Sequence, residues 1–99
     1  FQGFLPKKKG RTKLLLELSS LSVTIIIFES QFRIIKTIED IYSCFGNRMA
    51  SLCREMTKKF EEIITTDLLS LSDIIKRKKI KGEIVLLIAK DGFQVNEKK

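Results

Sequence analysis

The run Val23-Thr24-Ile25-Ile26-Ile27-Phe28 decides the fold. Its β-branched residues follow one another without alternation, the pattern of a strand covered on both faces and central in its sheet. The polar Glu29-Ser30-Gln31-Phe32-Arg33 comes next, with Ser30 suited to cap a helix. In that helix Ile34, Ile35, Ile38, Ile41, Tyr42 and Phe45 recur at helical spacing, and Gly46 supplies the stop.

Working outward, Leu14, Leu15, Leu18 and Leu21 predict an amphipathic helix from Thr12 to about Leu21, broken at Ser22. Downstream, Met49 to Cys53 reads as a short apolar strand and Phe60 to Thr65 as a second one with a polar start. Asp67 or Thr66 opens a third helix carrying Leu68, Leu71, Ile74 and Ile75, whose basic end runs into Gly82. The strand Glu83 to Ala89 follows, with Ile84-Val85-Leu86-Leu87-Ile88 apolar throughout. Alternating strands and helices predict an α/β domain, a mixed sheet of about five strands with about three helices packed on its faces. It occupies residues 1–92, and residues 93–99 form a polar tail.

The chain has 99 residues, 43% of them hydrophobic, enough for one folded domain. It begins with Phe1 in a segment, Phe1-Gln2-Gly3-Phe4-Leu5-Pro6, that reads as a strand or loop already under way, so a piece of a longer protein is expected. Nineteen Lys and Arg against twelve acids give +7, clustered at Lys7-Lys8-Lys9, Arg11 and Lys13 and again at Lys76-Arg77-Lys78-Lys79 and Lys81. Such clusters attract phosphates through counterion release. They also suit a solvated loop and a helix end, where cations complement the macrodipole. Cys44 and Cys53 lack CxxC spacing and the chain has no His, which argues against a zinc site and for free thiols in a reducing cytoplasm. Glu17 and four Ser or Thr residues interrupt Leu14 to Phe28, whereas about 18 uncharged residues are needed to span a bilayer, so no membrane segment is expected.

Self-contained catalytic templates are missing: the five glycines are scattered and there is no GxSxG. What remains are polar groups at the ends of apolar strands, where open α/β sheets present ligand-binding residues. Three places qualify. In Phe28-Glu29-Ser30-Gln31-Phe32-Arg33 a carboxylate follows the most apolar strand, although Glu29 and Ser30 also suit a helix start. Arg54-Glu55-Met56-Thr57-Lys58, with Glu61 and Glu62 beyond, is a site for orienting a substrate or a loop of exposed ion pairs. Lys81-Gly82-Glu83 permits close backbone approach to a ligand or simply ends a helix.

At these places the chain resembles the ribosomal RNA small subunit methyltransferase I family, of the tetrapyrrole-methylase-like class. The resemblance rests on Gly3-Phe4-Leu5-Pro6 with its basic run, Phe28-Glu29-Ser30 with Arg33, Arg54-Glu55 with Thr57-Lys58 and Glu61-Glu62, and Gly82-Glu83-Ile84-Val85-Leu86, in family order and spacing. The family usually has Glu-Ser-Pro-His-Arg where this chain has Glu29-Ser30-Gln31-Phe32-Arg33, and a further histidine where Phe60 stands.

The resemblance implies the carboxy-terminal α/β domain of a two-domain, dimeric, cytoplasmic enzyme with S-adenosyl-L-methionine (SAM) bound mainly with the amino-terminal domain, no trace of which is in this sequence. The expected reaction is methyl transfer to the ribose 2′-hydroxyl of a cytidine in small-subunit ribosomal RNA, with this piece inactive alone. It further implies Phe28, Glu29, Gly82, Glu83 and Ile84 on the adenosine side. Lys7, Lys8, Lys9, Arg11, Arg33, Arg54 and Lys58 would lie on RNA, with Glu29, Arg54 and Lys58 at the reaction. Two rivals stand beside it: a free-standing basic RNA-binding module, and an assembly module using an apolar surface around Phe4, Leu5 and Phe93.

Overall fold

The computed structural model describes residues 3–6, 9–55, 61–78 and 80–90. Eight elements follow in order: β1 (Gly3–Phe4), α1 (Arg11–Ser19), β2 (Ile25–Ser30), α2 (Ile34–Phe45), β3 (Met49–Glu55), β4 (Glu61–Asp67), α3 (Leu68–Lys78) and β5 (Glu83–Ile88). The α/β class and the mixed five-stranded sheet expected from the sequence are both present, in the order β1-β2-β5-β3-β4. β1 and β2 are parallel, which demands a crossover, and α1 provides it. The other pairings are antiparallel, so β1, β2 and β3 end where β4 and β5 begin.

The apolar spacing places the core. Ile34, Ile38, Ile41 and Phe45 of α2, Leu68, Leu71 and Ile75 of α3 and Leu15 of α1 form one cluster with Ile27, Leu52 and Leu86 of the sheet. α1 packs on α2 and α2 on α3, giving a single helical layer. β2 therefore departs from the expectation of cover on both faces. Ile25, Ile27 and Glu29 are buried under the helices, while Ile26, Phe28 and Ser30 are only half-buried.

Cross-strand register arranges the two sides at one end of the sheet. On the helix side, Glu29, Ile84, Arg54 and Glu62 share one row. On the other, Phe4, Phe28, Val85, Cys53 and Ile63 make an apolar row across all five strands, with Phe4 71% and Ile63 62% exposed.

Helix boundaries shift by a few residues, each for a local reason. α1 closes at Ser19 and not at Leu21, because the Ser19 and Ser20 hydroxyls donate to the carbonyls of Leu16 and Glu17 and compete with further turns. Ser30 is the last residue of β2 and does not cap α2. A turn over residues 31–33 intervenes, closed by the Arg33 amide on the Ser30 carbonyl at 3.1 Å, and Arg33 precedes the helix. Gly46, at φ 83°, ends α2 with its amide on the Tyr42 carbonyl. Leu5, expected on an exposed apolar surface, is buried in the core. Phe93 lies outside the described residues.

Asp67 starts α3 as read from the sequence. Its carboxylate accepts the Ser70 amide at 3.0 Å, the Ser70 hydroxyl at 2.8 Å and the Asn47 side-chain amide at 3.1 Å. Hydrogen bonding, first from the Ser70 amide, lowers its pKa to about 2 from 3.8. The folded state thus prefers the ionised form, so the stabilisation is complete above the unfolded value and is lost as pH falls from about 4 toward about 2. Asp67→Ala should cost about 1 kcal/mol at neutral pH. In urea titrations the gap between wild type and Asp67→Asn should narrow over that acid range.

Candidate functional site

A cleft of about 500 Å³ opens at the end of the sheet where β2 finishes and β5 begins. Phe28, Glu29, Gly82, Glu83 and Ile84, the five residues that the resemblance implied for the adenosine side, all line it. Antiparallel pairing of β2 with β5 brings them together although more than fifty residues separate the two segments. Phe4 and Phe28 meet edge to face at 5.4 Å and form an apolar wall. The Gln31 side-chain oxygen Oε1 accepts the Gly82 amide at 2.5 Å, tying the β2–α2 turn to the strand entrance. Gly82 sits at φ 93°, a backbone conformation that suits glycine, so it shapes the cleft as well as ending the approach to β5.

Behind this wall runs a buried polar chain. The Glu29 carboxylate accepts the Ser30 amide at 2.9 Å and the Thr37 hydroxyl at 2.5 Å, and Arg33 Nε stands 3.7 Å away. Thr37 in turn accepts Arg11 Nη2 at 2.9 Å. Arg11 Nη1 donates to the Pro6 carbonyl at 2.8 Å, and its Nε to Asp40 at 3.0 Å. Lys36 lies 3.1 Å from Asp40 on the solvent side.

Arg11, read from the sequence as part of an exposed basic loop on RNA, is therefore interior. Gly10, at φ 79°, turns the chain so that α1 begins at Arg11, and the guanidinium is consumed by partners on α2 and in the loop before α1. The sequence reading missed Thr37 and Asp40. Their signal was there: with Arg33 they follow i, i+4, i+7 spacing, a polar stripe beside the apolar face of the helix.

Arg54 stands in the same cross-strand row as Glu29, with Ile84 between them. Its Nη2 donates to Glu62 at 2.6 Å and its Nη1 to the Lys81 carbonyl at 3.1 Å. Lys78 also pairs with Glu62, and these two cations, Lys78 foremost, hold the Glu62 carboxyl below its ordinary range. Lys76 pairs with Glu39 at 3.3 Å, so much of the second basic cluster serves ion pairs and the end of α3. Lys9 is exposed beside Gly10. Lys7, Lys8 and Lys58 lie outside the described residues.

A second groove, of about 620 Å³, runs between α1 and α2, with Arg33 and Lys36 along one side. Phe32 borders both this groove and the cleft. Among the described residues there is no cluster of metal-ligating side chains, and no helix is long and apolar enough to cross a membrane.

No protein-family model matches the chain. It is similar to "Ribosomal RNA small subunit methyltransferase I" of Rickettsia prowazekii, 39% identical over 99 residues, covering 99% of this chain and 35% of the relative. The protein of the same name from Halalkalibacterium halodurans is 38% identical over 96 residues, covering 96% and 33%. That from Thermotoga maritima is 35% identical over 89 residues, covering 90% and 40%. The chain thus spans between a third and two fifths of the length of these curated relatives.

Proposed function

Because the chain belongs to the ribosomal RNA small subunit methyltransferase I family, matching about a third of its members' length, we propose that it is the carboxy-terminal domain of a SAM-dependent enzyme that methylates a cytidine 2′-hydroxyl in small-subunit ribosomal RNA. The observation that carries this reading is the cleft where Phe28, Glu29, Gly82, Glu83 and Ile84 converge. Its chemistry suits an adenosine: an aromatic and aliphatic wall for the base, with Ser30, Gln31 and Glu83 as polar groups at the rim. When bound, SAM would supply an electrophilic methyl group for in-line displacement.

The residues of this chain would position rather than react. Glu29 already accepts from Ser30 and Thr37 and is paired with Arg33, which suits it to hold the cleft wall in place. Arg54, fixed by Glu62 and the Lys81 carbonyl, would brace the entrance of β5. Removal of the hydroxyl proton would fall to Lys58 or to the rest of the protein. The amino-terminal domain would close the cofactor site, and the exposed apolar row from Phe4 to Ile63 would be covered by that domain or by a second subunit of a homodimer. Lys9, Arg33 and the neighbouring Lys7 and Lys8 would meet RNA phosphates, a task from which Arg11 is withdrawn by its burial.

Val85 lies on the open side of the cleft, so Val85→Trp should fill it with little effect on the core. In the full-length protein we expect this variant to lose SAM binding by calorimetry and tritium transfer from methyl-labelled SAM to small-subunit RNA, with its melting temperature nearly unchanged. Undiminished SAM affinity would overturn the assignment of the cleft. Transfer of label to a base, or to no RNA at all, would overturn the reaction.

A further inference from the structure

Phe32 is 87% exposed, the most exposed large apolar side chain among the described residues, and it stands on the turn between β2 and α2. Burying an aromatic ring is strongly favourable, so a ring held almost wholly in water on a short, braced turn is available to a partner. The turn is fixed from both sides. The Arg33 amide closes it on Ser30, and the Gln31 side chain anchors it to Gly82.

Position gives the partner's chemistry. On one side of Phe32 lies the groove between α1 and α2, where Arg33 is partly exposed and the Lys36 side chain is 75% exposed. On the other lies the cleft walled by Phe4 and Phe28. A ligand crossing this ridge meets cations, then a bare ring, then a pocket. A single-stranded RNA segment has the matching sequence of groups: phosphates for the cations and an unpaired base with a π face for the ring. Arg33 and Lys36 pair with Glu29 and Asp40 yet keep exposed side chains, and a purely apolar protein partner would bury that charge without adding a counterion.

We propose that Phe32 is the stacking platform for an unpaired RNA base, placed so that the base lies at the lip of the cleft while its flanking phosphates follow Arg33 and Lys36. This rests on the RNA-directed reading above and adds to it a named contact with the base. Phe32 is a positioning residue, and it takes no part in proton or methyl transfer.

The test uses the full-length protein and a fluorescein-labelled, unstructured oligoribonucleotide of mixed sequence, read by fluorescence anisotropy. Phe32→Ala should weaken binding about 5- to 150-fold, the range that loss of one base-stacking aromatic produces. Phe32→Tyr should restore it, and the loss should vanish on an oligonucleotide whose bases are replaced by abasic sites. Because Phe32 also borders the cleft, KM for RNA should rise by a larger factor than Kd for SAM. Equal losses on the intact and abasic oligonucleotides would overturn the proposal, as would a fall in melting temperature that Tyr reverses, which would make the ring a protein contact. If wild type and Phe32→Ala bind RNA equally, the stacking claim alone fails. If wild type binds SAM but not RNA, the underlying functional reading fails instead.

Discussion

Arg11→Ala should lower the unfolding free energy of the protein by about 3 kcal/mol, the scale seen when one partner of a buried ion pair is removed. The guanidinium donates to Asp40, Thr37 and the Pro6 carbonyl, and it joins the start of α1 to α2 and to the loop leaving β1. Without it Thr37 loses a donor in a fully buried site, and Asp40 keeps only Lys36 among its cationic partners here. Urea titration of wild type, Arg11→Ala, Asp40→Ala and the double variant should show coupling of about 1 kcal/mol or more between the two positions. RNA affinity measured against salt provides the contrast. A residue that braces the fold leaves the slope intact, whereas a phosphate contact flattens it by about one unit. Full stability with a flattened slope would return Arg11 to the RNA surface.

The second large effect is expected at Glu29. Glu29→Ala removes the acceptor shared by the Ser30 amide and the Thr37 hydroxyl, hydrogen bonds to a charged group that are worth about 1.5–3 kcal/mol each. In the full-length protein kcat/KM for methyl transfer should drop about a hundredfold, the equivalent of some 2.7 kcal/mol. Glu29→Gln keeps an oxygen of the same reach, so a positioning role predicts recovery to within about tenfold of wild type. Should Glu29→Gln be stable and yet as inactive as Glu29→Ala, the carboxylate would be the proton acceptor itself. Thermal melts of both variants separate the two outcomes.

Much of this site could be read along the chain. Glu29, Arg54 and Glu83 are legible as polar groups at strand ends, with Phe28, Gly82 and Ile84 added by the resemblance, and they lie at one end of one sheet because β2, β5 and β3 pair in that order. Phe32 was visible as a residue but not as a surface, since exposure depends on how the turn is anchored by Gln31 to a glycine fifty-one positions away. Arg11 was misread because a basic run looks solvated until the one member that meets Asp40 and Thr37 is singled out by the packing of α1 on α2. Thr37 shares a polar stripe with Arg33 and Asp40 that is legible in the sequence, but the carboxylate it meets is brought opposite it only by the fold.

The sequence by itself determined the secondary elements, the α/β class and the family resemblance. Periodicity, caps and short motifs in register are local properties, each written within a few neighbouring residues. Tertiary structure alone decided which face of β2 is covered. Ile25 and Ile27 are as apolar as Ile26 and Phe28, so no alternation marks the buried set, and only the layer of α1, α2 and α3 makes the choice. It likewise decided the partners of Glu29, Arg11 and Arg54, because a buried charge is satisfied by whatever the fold brings opposite it. That selection is made between residues distant in sequence, where local pattern carries no information.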